Sequence, residues 1–166
     1  MLHIADLPKI HGKDKTSVVD TAGFCSEFPA DKYLVFKLAD QEYAMGVSIV
    51  KEVIHYTNLT DVPNTCSYIR GVLSLRGIVI PVLDFMEYIG LSATIVTGNT
   101  RILIVHYDDL FIGILVDSVE GVIAISSDMF IPVPAFIGKE NVKYFKAAIK
   151  FNNKLIMVIE TRMEHV

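Results

Sequence analysis

The side chains that most often carry chemistry are sparse in this sequence and poorly spaced for it. Five histidines stand at positions 3, 11, 55, 106 and 165. No two fall four apart, the spacing that sets two imidazoles on one helical face around a zinc ion, so no metal is expected. Cys66 and His55 could in principle act as nucleophile and base. Nothing beside either supplies the positive charge that activates a thiol, so a surface histidine and a buried thiol are the expectation. Glycine-rich phosphate loops and serine nucleophile elbows do not occur. Asp84, Asp108, Asp109 and Asp117 stand at strand ends and turns, where a carboxylate commonly caps backbone N–H groups. These residues predict neither an enzyme nor a cofactor.

One charged residue is not explained by folding. The stretch Tyr68-Ile-Arg-Gly-Val-Leu-Ser-Leu-Arg-Gly-Ile-Val-Ile-Pro-Val-Leu-Asp84 reads as two β-branched runs joined at Arg76-Gly77, a hairpin signal. Gly77 supplies the positive φ that a tight turn needs. Pro81, lacking an N–H, predicts an edge or a bulge for the second strand. A later stretch, Tyr144-Phe-Lys-Ala-Ala-Ile-Lys-Phe-Asn-Asn-Lys-Leu-Ile-Met-Val-Ile-Glu160, lies on the first without gaps and carries Asn152-Asn153 at the turn. Asparagine also tolerates positive φ, so the fold closes this hairpin without an arginine. Arg76 is therefore the strongest single candidate for function.

The elements that must position it follow a repeated order. Residues 1–30 show no sustained period and read as a mobile tail, with at most a short docking segment near Ser17–Asp20. Tyr33–Leu38 and Glu42–Val47 read as strands around a turn at Ala39–Gln41. Ser48 has the look of an N-cap, and Ser48–Val53 is either one helical turn or a bent strand. Phe85–Gly90 reads as a single helical turn stopped by glycine, and Leu91–Thr100 as a loop. Arg101–Val105, Asp108-Asp109 and Phe111–Val116 then retrace the first hairpin, and Val119–Val122 stands where Val50–Val53 stood. Two such units, 31–90 and 101–160, predict a pair of small all-β barrels, with strands open to exchange between them.

Composition sets the outer limits. Apolar residues make up 52% of 166 and charged residues 20%, enough for one ordinary domain or two small barrels. A net charge of −4 with only four arginines argues against a nucleic-acid partner. Its one supporting feature, Lys143-Tyr-Phe-Lys146, would suit a single-stranded binder. Apolar runs fall well short of the ~18 residues of a membrane span. Charges near the N-terminus do not suit a signal peptide, so the cytoplasm is expected. Two cysteines, Cys25 and Cys66, fit a reducing compartment as unrelated thiols. The mean hydropathy of +0.45 exceeds what small barrels bury, which points to exposed partner surfaces, with Met45, Met86, Met129 and Met157 suited to adaptable contacts.

The stretch Tyr68–Asp84 closely resembles the signature segment of CheW-like domains, the adaptors of bacterial chemotaxis. The resemblance runs from about Asp31 to Glu160. It includes Tyr33–Leu38, Glu42–Ala44, Val50–Val53, Val62–Asn64 and Gly113–Val119 in order. It implies two SH3-like five-stranded β-barrels sharing a core, with a few short helical turns. It also implies a non-catalytic adaptor that couples the cytoplasmic tip of chemoreceptors to the regulatory domain of a CheA-type histidine kinase. Such a protein works beside membrane-bound receptor arrays without entering the membrane. A groove between the barrels would take the receptor's helical hairpin, and barrel ends would pair with the kinase. By motif match, Glu52, Arg76 and Gly77 belong to the functional strip, with Val50 and Val119 as apolar neighbours.

Two departures stand out. Ile54-His55 replaces an Arg-Gly pair of many relatives, and only Thr161–Val166 remains where a C-terminal helix is usual. An output other than flagellar swimming is the alternative they leave open.

Overall fold

The alternation of apolar residues along the hairpin strands dictates where they go. The computed structural model describes residues 4–10, 31–107, 109–135, 137 and 141–159. In the first half, β1 (Asp31–Leu38) and β2 (Gln41–Gly46) form a hairpin. Next come β3 (Val50–His55), the central hairpin of β4 (Ile69–Leu75) and β5 (Ile78–Asp84), and the one-turn helix α1 (Phe85–Tyr88). The second half holds β6 (Arg101–Tyr107), β7 (Leu110–Val116), β8 (Ser118–Ile125), the two-residue β9 (Phe130–Ile131), β10 (Phe145–Phe151) and β11 (Lys154–Ile159). These strands make two sheets, ordered β3-β6-β7-β5-β4 and β8-β1-β2-β11-β10-β9.

Each sheet is an SH3-like barrel, the second carrying β9 as an addition. The first is closed by Thr60, just beyond β3, which bridges to Val72 of β4. The hairpins are exchanged. β1–β2 from the first half lies with β8 and β11, while β6–β7 from the second lies with β3 and β5. The division at 31–90 and 101–160 therefore marks a repeat in sequence; the barrels themselves each take strands from both halves.

The exchange follows from strands that are apolar on both faces. In β1, Leu34, Phe36 and Leu38 enter a central core, while Tyr33 and Val35 enter the core of the six-stranded barrel. In β6, Leu103 and Val105 enter the central core, and Ile102 and Ile104 that of the five-stranded barrel. A strand at the junction of two barrels has both faces covered, so each shared hairpin belongs there.

Irregularities repeat as well. The β4–β5 register shifts between Ile69 and Gly71, and the β10–β11 register between Phe145 and Ala147, so Arg70 and Lys146 stand at equivalent bulges of the two sheets. Tyr68 and Tyr144 meet Tyr88 from either side, with ring centroids 5.1 and 5.2 Å apart. Helix α1 is started by Asp84, whose Oδ1 accepts from the N–H groups of Met86 and Glu87 at 3.1 and 3.4 Å. Its Oδ2 accepts from Thr94 N–H at 2.7 Å, tying the loop after α1 to the barrel.

Several expectations change. Ser48 is a turn residue rather than a helix cap, because Val50–His55 is a strand with a bulge at Lys51. β5 is an interior strand, but its pairing with β7 covers only Val82–Asp84, so Pro81 precedes that ladder on a length with one neighbour. Within the expected tail, residues 4–10 dock on the barrels: Ile4–Asp6 is a 3-10 turn and Lys9 bridges to Val122. Residues 11–30, with Ser17–Asp20 and Cys25, and residues 160–166 lie outside the described residues. Met45, Met86 and Met157 are buried in the central core, leaving Met129 half-buried. Among the described residues no helix is long and apolar enough to cross a membrane.

Candidate partner-binding site

The β4–β5 turn places Arg76 at φ 50° and Gly77 at φ 82°, between the paired Leu75 and Ile78. Two successive left-handed residues make a type I′ turn, the connection whose twist matches a β-ribbon. The equivalent β10–β11 turn uses Asn152 at φ 48° and Asn153 at φ 62°, residues this turn favours. Arginine at the first place has a Cβ that crowds the following carbonyl, at a cost of about 1 kcal/mol. Gly77 has open space where a Cβ would stand, so its requirement is backbone conformation alone.

Arg76 extends to β3, where its Nη2 lies 3.4 Å from Glu52 Oε2. The arginine side chain is 69% exposed and the glutamate side chain 11%. The bulge at Lys51 explains the burial of the acid. It lets Val50 and Val53 share the central core and leaves Glu52 on the opposite face with Ile54, which packs on the five-stranded barrel's own core. Glu52 Oε1 is buried and hydrogen-bonds to no described residue.

Around this pair lies apolar surface that sequence reasoning missed. Val79 is 66% exposed and Leu110 58%, with Ile78 close behind. β5 and β7 run parallel with Val82 opposite Gly113, so Val79 and Leu110 start neighbouring strands at the same barrel end. The run Ile78-Val79-Ile80 carried the signal, since a strand with one face in a core cannot bury three successive β-branched side chains. A second apolar depression, about 680 Å³, lies between Met86, Leu91, Ile95 and Asp117. Asp117 Oδ2 accepts from Ala39 N–H there at 2.7 Å.

The five residues singled out from the sequence thus divide. Arg76, Gly77 and Glu52 come together at one end of the five-stranded barrel. Val50 is buried in the central core, and Val119, half-buried on β8, packs against the same core. They line the junction of the barrels rather than the Arg76 surface. Cys66 is exposed, not buried, because it sits in the polar turn before β4. The Lys143–Lys146 cluster presents no stacking platform: Tyr144 packs on Phe85 and Tyr88, and Phe145 is buried. Asp84 and Asp117 cap backbone as expected; Asp108 lies outside the described residues. Among the described residues no three His, Cys, Asp or Glu side chains converge.

A family model described as CheW-like domain matches residues 32–162. The chain is 32% identical over 130 residues to the chemotaxis protein CheW of Bacillus subtilis, covering 78% of this chain and 83% of that one. It is 29% identical over 135 residues to CheW of Helicobacter pylori, covering 81% and 80%. Among solved structures, the scaffolding protein TtCheW of Thermoanaerobacter tengcongensis superimposes with a TM-score of 0.73 at 30% identity, covering 79% of this chain and 89% of that one.

Proposed function

This chain belongs to the CheW-like domain family, and on that premise we propose that it is a non-catalytic coupling adaptor of bacterial chemotaxis. It holds the cytoplasmic tip of a chemoreceptor and the regulatory domain of a CheA-type histidine kinase together, on the cytoplasmic side of the membrane. The observation that carries this reading is the Arg76–Glu52 pair. An exposed guanidinium stands on a turn that would favour asparagine, paired to a buried carboxylate and flanked by bare Val79 and Leu110.

An exposed arginine within an apolar rim has the make-up of an interface hot spot. Glu52 fixes the direction of the guanidinium, which lowers the rotamer entropy lost on binding. This barrel end is the surface for the kinase domain. The junction of the barrels, where β3 and β8 carry Val50 and Val119, is the surface for the receptor's helical hairpin, laid in as a helix in a groove. Two surfaces on different faces allow both partners at once.

The test is a reconstitution with purified receptor-tip hairpin and kinase regulatory domain. Each should bind the chain singly in a titration, and all three should sediment as one complex. Mutually exclusive binding, or binding of neither, contradicts the adaptor reading.

A further inference from the structure

We propose that the groove between β3 and β8 is a site for a short apolar segment, filled in cis by residues 4–10, which must leave before the receptor hairpin docks. The proposal rests on the reading of that groove as the receptor surface.

The segment spans both barrels. Its 3-10 turn, Ile4–Asp6, packs against β3 of the five-stranded barrel. Residues 8–10 pair with β8, the edge strand of the other: Val122 N–H donates to Pro8 O at 2.9 Å and Ile10 N–H to Val122 O at 3.0 Å. Leu7 is buried in the central core, the core that also takes Val50, Val53, Val119 and Val122. Ile4 packs on that core and Ile10 on the core of the six-stranded barrel. The segment therefore lies over the two strands assigned to the receptor.

The receiving strand is shaped for a close backbone. Gly121 has φ 148°, and a Cβ there would stand 2.3 Å from Pro8 O. Only glycine lets the segment approach so near. Ile4, Leu7 and Ile10 recur every three residues, and the change from a 3-10 turn to strand pairing sends the first two to the central core and Ile10 to that of the six-stranded barrel. The segment thus fills the groove with apolar side chains, the chemistry that a receptor helix would bring to it. One buried leucine, two half-buried isoleucines and two hydrogen bonds stand against the entropy of ordering seven residues, so the docked state is only modestly favoured. A closed fraction of about nine tenths would weaken the apparent receptor affinity about tenfold.

The test titrates the receptor-tip hairpin into the full chain, the full chain with Leu7→Asp, and the chain lacking residues 1–10. Kinase-domain titrations of all three report whether the fold is kept. Both altered proteins should bind the hairpin about tenfold more tightly, with kinase affinity unchanged. Equal or weaker hairpin binding by Leu7→Asp with kinase binding intact would overturn the proposal while leaving the coupling function standing. Hairpin binding to none of the three would overturn the receptor surface itself, and this inference with it. Should the variants lose kinase binding through misfolding, amide exchange in the unaltered chain decides. Saturation with hairpin should speed exchange at Ile10 and Val122; retained protection at both would overturn the proposal.

Discussion

Arg76 holds a backbone conformation, φ 50°, that costs an arginine more than it would an asparagine. Two substitutions separate this strain from the ion pair. Arg76→Ala removes the partner of Glu52 while keeping a Cβ in the left-handed region. It should lose about 0.5–1 kcal/mol, small because the guanidinium is mostly exposed and solvent-screened. Arg76→Asn relieves the turn as it removes the pair, and should stay within about 0.5 kcal/mol of the unaltered chain. Urea denaturation of the three proteins checks the order; Asn less stable than Ala would refute it. At this scale the sequence was half informative. Asn152-Asn153 in the repeat exposed Arg76 as unneeded by the fold, whereas Glu52 came only from family resemblance. Nothing local could pair them, since the contact exists only once β3 and the β4–β5 tip meet at a barrel end.

Elements were legible where the period of two is clean and where turns carry their own chemistry. The hairpins at Ala39-Asp40, Arg76-Gly77 and Asn152-Asn153 all turn through left-handed residues, as the composition suggested for Gly77 and for the asparagine pair. Bulges were not legible. Lys51 and Glu120 each break a register in equivalent strands, and without the break Val50 and Val53 could not face one core. The docked residues 4–10 were missed because three apolar residues spaced by three are too few to show a period. The shared hairpins give this scale its prediction. Phe36 is fully buried in the central core and stacks on Tyr43 with centroids 6.3 Å apart. Phe36→Ala should cost about 3–5 kcal/mol. Because that core joins the barrels, amide signals from β4 and β10 should vanish at one denaturant concentration. Two separate midpoints would show barrels that fold independently.

The whole molecule is a reciprocal exchange between its halves, and it should fail when they are parted. A fragment of residues 31–98 has β1 and β2 without β8 and β11, their sheet partners. Expressed singly, neither it nor residues 99–160 should give dispersed amide spectra; a folded half would contradict the exchange. Which hairpin would join which barrel was beyond sequence reasoning, because both candidate partners are equally apolar. Alkali gives a second test at this scale. Burial pushes the phenols of Tyr43 and Tyr33 above their ordinary value, Tyr33 helped by the charge of Asp31. Lys154 is also held above its usual value by its hydrogen bond to Glu42. Groups raised in the folded state give stability that is whole below their unfolded values, about pH 10. It is lost as pH climbs through the raised folded values. Melting temperature should therefore hold to about pH 9.5 and fall steeply beyond, less steeply in Tyr43→Phe. An equal fall in that variant would remove Tyr43 as a cause.

The coupling role depends most directly on the surface that Arg76 crowns. Arg76→Asn keeps the turn, so its effect on binding reads the guanidinium and not the fold. Calorimetric titration of the kinase regulatory domain into the unaltered chain and into Arg76→Asn should show a loss of about 10- to 100-fold, the scale of a hot-spot arginine. Receptor-hairpin affinity should be unmoved. Unchanged kinase affinity in Arg76→Asn, with the fold intact, would contradict the account and move the contact surface away from this barrel end.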